Sequence, residues 1–221
     1  MATDEPTTVL RPGVPAPNFT LPRIDREGTV SLSDYRGQSG LVLGLFRGIY
    51  CPLCRRKIVQ MGLLRQKLMS LGVDSLAVVA SAFDHARLYF HYRPPHIPLA
   101  ADPEMTVSRA FNVPKPPVTP RLLEEFRTTL VDPNHELVAP VPITEIATTL
   151  NQLDGYELNA TDLKENKQQW RWDLATQLMA RFLIDRDGIV RWVDIEGAGQ
   201  GMAGLGKLAT DDELFAAVRA L

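Results

Sequence analysis

The chain holds two cysteines, Cys51 and Cys54, set three residues apart in Phe46-Arg47-Gly48-Ile49-Tyr50-Cys51-Pro52-Leu53-Cys54-Arg55-Arg56. On a helix, residues at this spacing share a face at roughly 5 to 6 Å, within the reach of a disulfide. The pair can therefore pass between dithiol and disulfide. A cysteine in a helix's first turn sits beside unsatisfied backbone N–H groups and the positive end of the helix dipole. Both favour thiolate over thiol and make the sulfur a nucleophile near neutral pH. Pro52 suits the start of such a helix, where its fixed φ is already helical and its missing N–H costs nothing. Arg47, Arg55 and Arg56 bracket the pair with positive charge that favours a thiolate and steers a polar or anionic substrate, at least one of them pointing to solvent. Two blander roles compete: small core residues, or half of a zinc site. His85, His91, His96 and His135 show no spacing that completes four ligands, and His85 and His91 read as a solvated helix face, so no metal or other cofactor is expected.

The elements around the pair place it at a strand-to-helix junction, where a redox dithiol gains its reactivity. Leu41 to Phe46 is an apolar run of strand length and is expected at the centre of a sheet. After Pro52, apolar residues at Ile58, Met61, Leu64, Leu68 and Leu71 describe one buried stripe of a helix ending at Gly72. Before them, Phe19–Pro22 and Gly28–Leu32 read as a small hairpin, followed by a short helical turn at Ser33 and Asp34. After them come a strand at Leu76–Ala80, a helix at Phe83–Tyr92, a strand at Ile97–Ala100 and a helix at Glu104–Phe111. Prolines crowd residues 113 to 142, which predicts an irregular excursion with a helix at Arg121–Thr129, then helical pieces at Ile143–Asn151 and Asn159–Trp172. Phe182–Asp185 and Ile189–Ile195, joined by Arg186-Asp187-Gly188, form the clearest hairpin, and a helix at Asp211–Leu221 closes the chain. This order predicts one α/β domain over residues 1–221. It has a thioredoxin-like fold, a central mixed sheet with helices on both faces, an N-terminal β-hairpin, and residues 113–178 as a long irregular and helical insertion before the last hairpin.

Composition narrows the function classes. The chain has 221 residues, 24 basic and 26 acidic, a formal charge of −2, and 45% hydrophobic side chains. It offers no polycationic face for nucleic acid or anionic lipid. No apolar run approaches the roughly 20 residues of a spanning helix, and Met1 to Pro17 lacks a basic start and an apolar stretch, so a cytoplasmic protein is expected. Gly199-Gln200-Gly201-Met202-Ala203-Gly204 has the glycine pattern of a dinucleotide loop, but too little chain follows for a βαβ unit, and it is read as a mobile loop able to approach the site. Asn159-Ala160-Thr161 fits a glycosylation acceptor and is taken as incidental. Trp170 and Trp172 are read as core packing or an oligomer contact, which leaves a homodimer open.

Pro15-Ala16-Pro17-Asn18-Phe19-Thr20-Leu21, Val30-Ser31-Leu32-Ser33-Asp34-Tyr35-Arg36-Gly37, the cysteine turn itself and Ala180-Arg181-Phe182-Leu183-Ile184-Asp185-Arg186-Asp187-Gly188-Ile189-Val190-Arg191 resemble the peroxiredoxin family of alkyl hydroperoxide reductases and thiol-specific antioxidant proteins. The resemblance covers about residues 13 to 112 and 174 to 221. It implies a peroxidase in which a thiolate attacks the O–O bond, becomes a sulfenic acid and condenses with the second thiol, with hydrogen peroxide or small organic hydroperoxides as substrates. It also implies an external, thioredoxin-like thiol reductant. Many members carry a threonine three residues before the attacking cysteine; that position is Cys51 if Cys54 attacks and Gly48 if Cys51 does. The family alignment points to Cys54 and the helix end to Cys51, and the reading leans to Cys51. Where the family usually has an arginine this chain has Met179. Arg181, on the same strand face, is the candidate to supply that charge, its alternative being a surface arginine on a hairpin. The competing functions are a dithiol-disulfide oxidoreductase with little peroxidase activity and a thioredoxin-fold binding protein.

Overall fold

The N-terminal hairpin forms as expected: β1 (Thr20–Pro22) pairs antiparallel with β2 (Thr29–Ser31), Leu21 facing Val30. A 3-10 turn over Leu32–Asp34 follows, and the Asp34 carboxylate accepts from the Ser31 N–H at 2.8 Å, closing its start. The structure, a computed structural model, describes residues 9–133, 135, 137–169 and 177–221. Trp170 and Trp172 lie outside the described residues.

Next come β3 (Gly40–Phe46), α1 (Pro52–Ser70), β4 (Val73–Val79), α2 (Phe83–Tyr92), β5 (Leu99–Ala101) and α3 (Thr106–Ala110). β5 starts later than expected, after Pro98, which has no N–H to give a ladder. α3 is shorter than expected because the Asp102 carboxylate accepts from the N–H groups of Thr106 and Val107, fixing its start. The α1 stripe holds at Ile58, Met61 and Leu68, but Leu71 is 44% exposed, since it caps the helix and the chain then turns at Gly72 with φ +76°.

The expected insertion contains α4 (Pro120–Thr128), β6 (Leu130–Val131), β7 (Val141–Pro142), α5 (Ile143–Leu153) and α6 (Ala160–Gln169). The Thr119 hydroxyl caps α4 by accepting from the Leu122 N–H at 3.1 Å, and Pro120 occupies its first turn. The small β6–β7 ladder was not expected, because two-residue strands show no periodicity. Asn159 caps α6, accepting from the N–H groups of Thr161 and Asp162. His85 is not solvated as expected: its ring is largely buried, with Nε2 3.3 Å from Asp162. The chain ends with β8 (Ala180–Ile184), β9 (Val190–Ile195) and α7 (Asp211–Arg219). Gly201–Gly204, within the expected loop, forms a 3-10 turn.

The main sheet has the order β5-β4-β3-β8-β9. β3, β4 and β5 are parallel, β8 is antiparallel to β3, and β9 to β8. β3 is thus central, and its residues alternate between two cores: Val42 and Phe46 face α1, α2 and α7, while Leu41, Leu43 and Leu45 face the hairpin and α3. This is the thioredoxin-like arrangement, with helices on both faces. Gly44 lets α1 approach β3, since a Cβ there would stand 2.7 Å from the Met61 sulfur. Among the described residues no helix is long and apolar enough to cross a membrane. The topology brings three chain positions to one end of the sheet: the residues just after β3, just before β8 and just after β9.

Candidate active site

The reactive turn is built by the exit from β3. The Cys51 N–H donates to the Gly48 carbonyl at 3.0 Å, the Ile49 N–H donates to the Ser81 hydroxyl at 3.0 Å, and the Ile49 carbonyl accepts from Arg55 at 2.8 Å. So pinned, Cys51 takes an extended conformation (φ −88°, ψ 108°) as the N-cap of α1, with Pro52 in the first turn. Its Sγ accepts from the Cys54 N–H at 3.3 Å, so the sulfur does the work that a capping oxygen usually does. A thiolate performs that role better than a thiol.

The two sulfurs are driven apart in acidity. Burial alone pushes the Cys51 thiol up, but the Cys54 thiol's hydrogen bond, the charge and hydrogen bond of Arg47, and the Cys54 N–H outweigh it and bring Cys51 from an ordinary 9.0 to about 6. Burial, the hydrogen bond to Cys51 and the charge of that sulfur push the Cys54 thiol well up. The surroundings thus make Cys51 the more acidic thiol and Cys54 the less acidic one.

Arg47 comes directly after β3 and meets Glu196, directly after β9. Its two terminal nitrogens donate to the two Glu196 oxygens at 2.6 and 3.0 Å, and one also donates to the Gln177 carbonyl at 2.9 Å. Glu196 is buried and accepts further from the N–H groups of Met179 and Gly206 at 3.0 and 2.6 Å. Gly206 sits at φ +79°, where a Cβ would press on Leu53 and Pro133 at 2.9 Å, so glycine alone brings that N–H to the carboxylate. Burial opposes the Arg47 charge, but Glu196 and the two sulfurs outweigh it and hold the guanidinium charged. Sequence reasoning missed Glu196.

The other arginines turn elsewhere. Arg55 is buried, donating to Asn151 at 2.7 Å and Asp154 at 3.0 Å and lying 4.2 Å from the Tyr156 ring centroid; Arg56 also binds Asp154. Both therefore tie α1 to the insertion. Arg181 is not a surface residue: it is buried, held by Asp194 at 2.6 and 2.8 Å and by the Ala209 carbonyl, with its guanidinium beside Trp192. The structure thus brings together Cys51, Cys54, Pro52 and Arg47, and takes up Arg181 between β8, β9 and the segment before α7.

A cavity of about 110 Å³ reaches Cys51. It is lined by Tyr50, Pro52 and Leu53 from the reactive turn and by Phe126 of α4, Ile143, Ile146 and Ala147 of α5, Leu158 and Leu205. Cys51 is 7% exposed and Cys54 is fully buried, so Cys51 alone faces the cavity. Leu205 follows the glycine-rich turn, which does approach the site.

The acidity split fixes the sign of a pH dependence. Between about 6 and 9.0 the unfolded chain keeps a proton at Cys51 that the folded one lacks, so the reduced protein's stability rises with pH there and is lost as pH falls through about 6. Above that range the Cys54 proton, kept in the fold, reverses the trend. Urea unfolding midpoints should follow this profile and flatten between pH 6 and 9 in Cys51→Ser; thiolate ultraviolet absorbance should titrate with a midpoint at about 6. A midpoint at the ordinary value of 9.0 would remove the assignment of Cys51 as thiolate.

Against this geometry stand the likenesses to known proteins. A family model described as the AhpC/TSA family matches residues 12–139, more than half of the chain. No curated protein matches. Among solved structures, a 2-Cys peroxiredoxin of Plasmodium vivax in its reduced form is similar at 14% identity and a TM-score of 0.57, covering 94% of this chain and 80% of that one. A protein described as the thiol:disulfide interchange protein DsbE of Chlorobium tepidum is similar at 19% identity and a TM-score of 0.53, covering 95% of this chain and 99% of that one. At these identities the structural likenesses speak for the fold.

Proposed function

The chain belongs to the AhpC/TSA family, whose chemistry is thiol redox chemistry, and on that premise we propose that it is a thiol-dependent peroxidase working through a Cys51–Cys54 dithiol/disulfide cycle. The observation that carries this reading is the division of labour between the sulfurs: the acidified one faces a cavity, and the protonated one is buried behind it.

In the first step the Cys51 thiolate attacks one oxygen of the hydroperoxide, an S–O bond forms and the O–O bond breaks. The departing alkoxide or hydroxide takes a proton and leaves as alcohol or water. Arg47, already held at the sulfur by Glu196, faces the negative charge that develops on the separating oxygens, and needs no reorganisation to do so. In the second step Cys54 loses its proton and attacks the Cys51 sulfenic acid; an S–S bond forms and water leaves. Two thiols and one hydroperoxide thus give one disulfide, one alcohol or water, and one water. An external thiol donor then restores the dithiol.

A dithiol-disulfide oxidoreductase is the second reading, favoured by the same split in acidity, which suits the attacking and resolving sulfurs of an exchange. The two are separated by adding one equivalent of hydrogen peroxide or tert-butyl hydroperoxide to the reduced protein. The expected result is a mass loss of two hydrogens at a rate well above that of free cysteine. A rate no better than free cysteine, together with rapid reduction of insulin disulfides, would transfer the assignment to the second reading.

A further inference from the structure

The disulfide formed in this cycle has to be reduced, and the same geometry restricts what can reach it. A donor thiolate must meet one of the two sulfurs in line with the S–S bond. Cys54 has no exposed surface, and Cys51 is approached through the 110 Å³ cavity. Much of its lining comes from Phe126, Ile143, Ile146, Ala147, Leu158 and Leu205. Ile143, Ile146, Ala147, Leu158 and Leu205 lie beyond the residues that match the family, so most of this lining belongs to the later part of the chain.

Size is the first constraint. A protein that reduces disulfides with a cysteine at a helix tip must bring up a helix end about 10 to 12 Å across with its side chains. A recess of about 110 Å³, smaller than one of about 150 Å³ that holds a benzene, takes the thiol end of a small molecule but not such a helix end. The lining is also anchored: Arg55 ties α1 to Asn151 and Asp154 at the end of α5, and Tyr156 packs on that guanidinium. Charge is the second constraint. Among the described residues the only charged side chain lining the cavity is Arg47, already occupied by Glu196, while Asn151 is taken up by Arg55. A donor carrying carboxylates and an ammonium would leave them without partners against apolar walls.

We propose that the electron donor of this protein is a small uncharged thiol, best a dithiol, which enters the cavity over Cys51, in place of the thioredoxin-like protein that the family resemblance implies. The proposal rests on the dithiol/disulfide cycle above. The donor thiolate attacks Cys51 Sγ, a mixed disulfide forms, and the Cys51–Cys54 bond breaks with its electron pair going to Cys54, which takes a proton and stays protonated in its buried site. A second donor thiol, on the same molecule in a dithiol, attacks the donor's sulfur in the mixed disulfide and releases Cys51 as the thiolate, a good leaving group because its pKa is low. The donor leaves oxidised by two electrons, and the enzyme regains its dithiol. A dithiol has the advantage that its second attack is intramolecular.

The test starts from protein oxidised with diamide rather than peroxide, so that the donor step is read apart from any peroxidase activity. Reduction is followed by mass after quenching, with dithiothreitol, glutathione or reduced thioredoxin at matched thiol concentration. Dithiothreitol is expected to react at least about tenfold faster than glutathione and no more slowly than thioredoxin. Ala147→Trp, which fills the cavity, should slow dithiothreitol by about tenfold or more while the ultraviolet titration of Cys51 keeps its midpoint. Leu158→Ala, which widens the recess, should speed thioredoxin more than dithiothreitol, and together with the wild-type order decides the matter if Ala147→Trp does not fold. Thioredoxin faster than dithiothreitol by about tenfold in the wild type would overturn the proposal and leave the peroxidase reading standing. Failure of diamide to form the intramolecular disulfide would remove the dithiol cycle itself.

Discussion

Arg47→Met is expected to destabilise the reduced protein by about 3 to 5 kcal/mol and to raise the Cys51 pKa, because a single guanidinium serves both the fold and the thiolate. Its removal leaves the Glu196 carboxylate buried at the end of β9 with two backbone N–H donors and no counter-charge. It also removes from Cys51 both a charge and a hydrogen bond that oppose the effect of burial. A merely structural ion pair would show the first effect without the second. The companion variant, Glu196→Gln, separates them: Arg47 stays charged, its carboxylate partner becomes neutral, and the Cys51 midpoint is expected to fall further rather than rise. The double variant Arg47→Met with Glu196→Gln should recover much of the lost stability, since no charge is then left unpaired, but none of the lost acidity. Urea unfolding at unchanged slope measures the first quantity and thiolate absorbance the second. An unmoved Cys51 titration in Arg47→Met would show that this arginine is a strut and nothing more.

How far this site was legible from the chain alone follows from the range of the interactions that make it. The cysteine turn is local: Pro52 starts α1, the two sulfurs are three residues apart, and Arg47 is four residues before the first of them, so residue types and spacing were enough to find them. The strands were legible where apolar runs or turn residues marked them, as at Leu41–Phe46 and around Asp187-Gly188. Glu196 was not, because its partner is 149 residues away and only the sheet order sets the ends of β3 and β9 side by side. A signal existed in the period of two: Asp194 on β9 and Glu196 just past its end continue one face of a strand that is otherwise largely apolar, and two inward carboxylates call for two cations. Arg181 and Arg47 are those cations. The strand-face argument for Arg181 took account of Met179 but not of Asp194, which stands directly opposite in the β8–β9 register. The proline-rich segment showed its helices at α4 and α5, but that they line the approach to Cys51 depends on helix-to-helix packing for which a single sequence holds no pattern.

Cys51→Ser is expected to abolish peroxide consumption, by roughly 10³-fold or more, whereas Cys54→Ser should leave the first attack intact and stop the cycle one step later. The reason lies in what each sulfur is held by. In Cys54→Ser the backbone N–H at position 54 still donates to Cys51, Arg47 keeps its place, and the serine hydroxyl is placed to take over the hydrogen bond that the Cys54 thiol gave, so the nucleophile stays more acidic than an ordinary thiol. One equivalent of peroxide should then add a single oxygen to Cys51, because no second thiol is present to expel water. Excess peroxide should carry the trapped sulfenic acid on to the sulfinic state, which the wild type avoids by closing its disulfide. In Cys51→Ser the remaining thiol is the buried one, screened from the cavity and pushed up by its surroundings, and it should be inert to peroxide on the same timescale. The threonine-based alignment of the family makes the opposite forecast, with Cys54 attacking and Cys51 resolving. Intact mass and initial rates of the two variants side by side therefore decide the order of the sulfurs: an oxygen adduct on Cys54 in Cys51→Ser, with Cys54→Ser silent, would reverse the roles assigned from burial and charge.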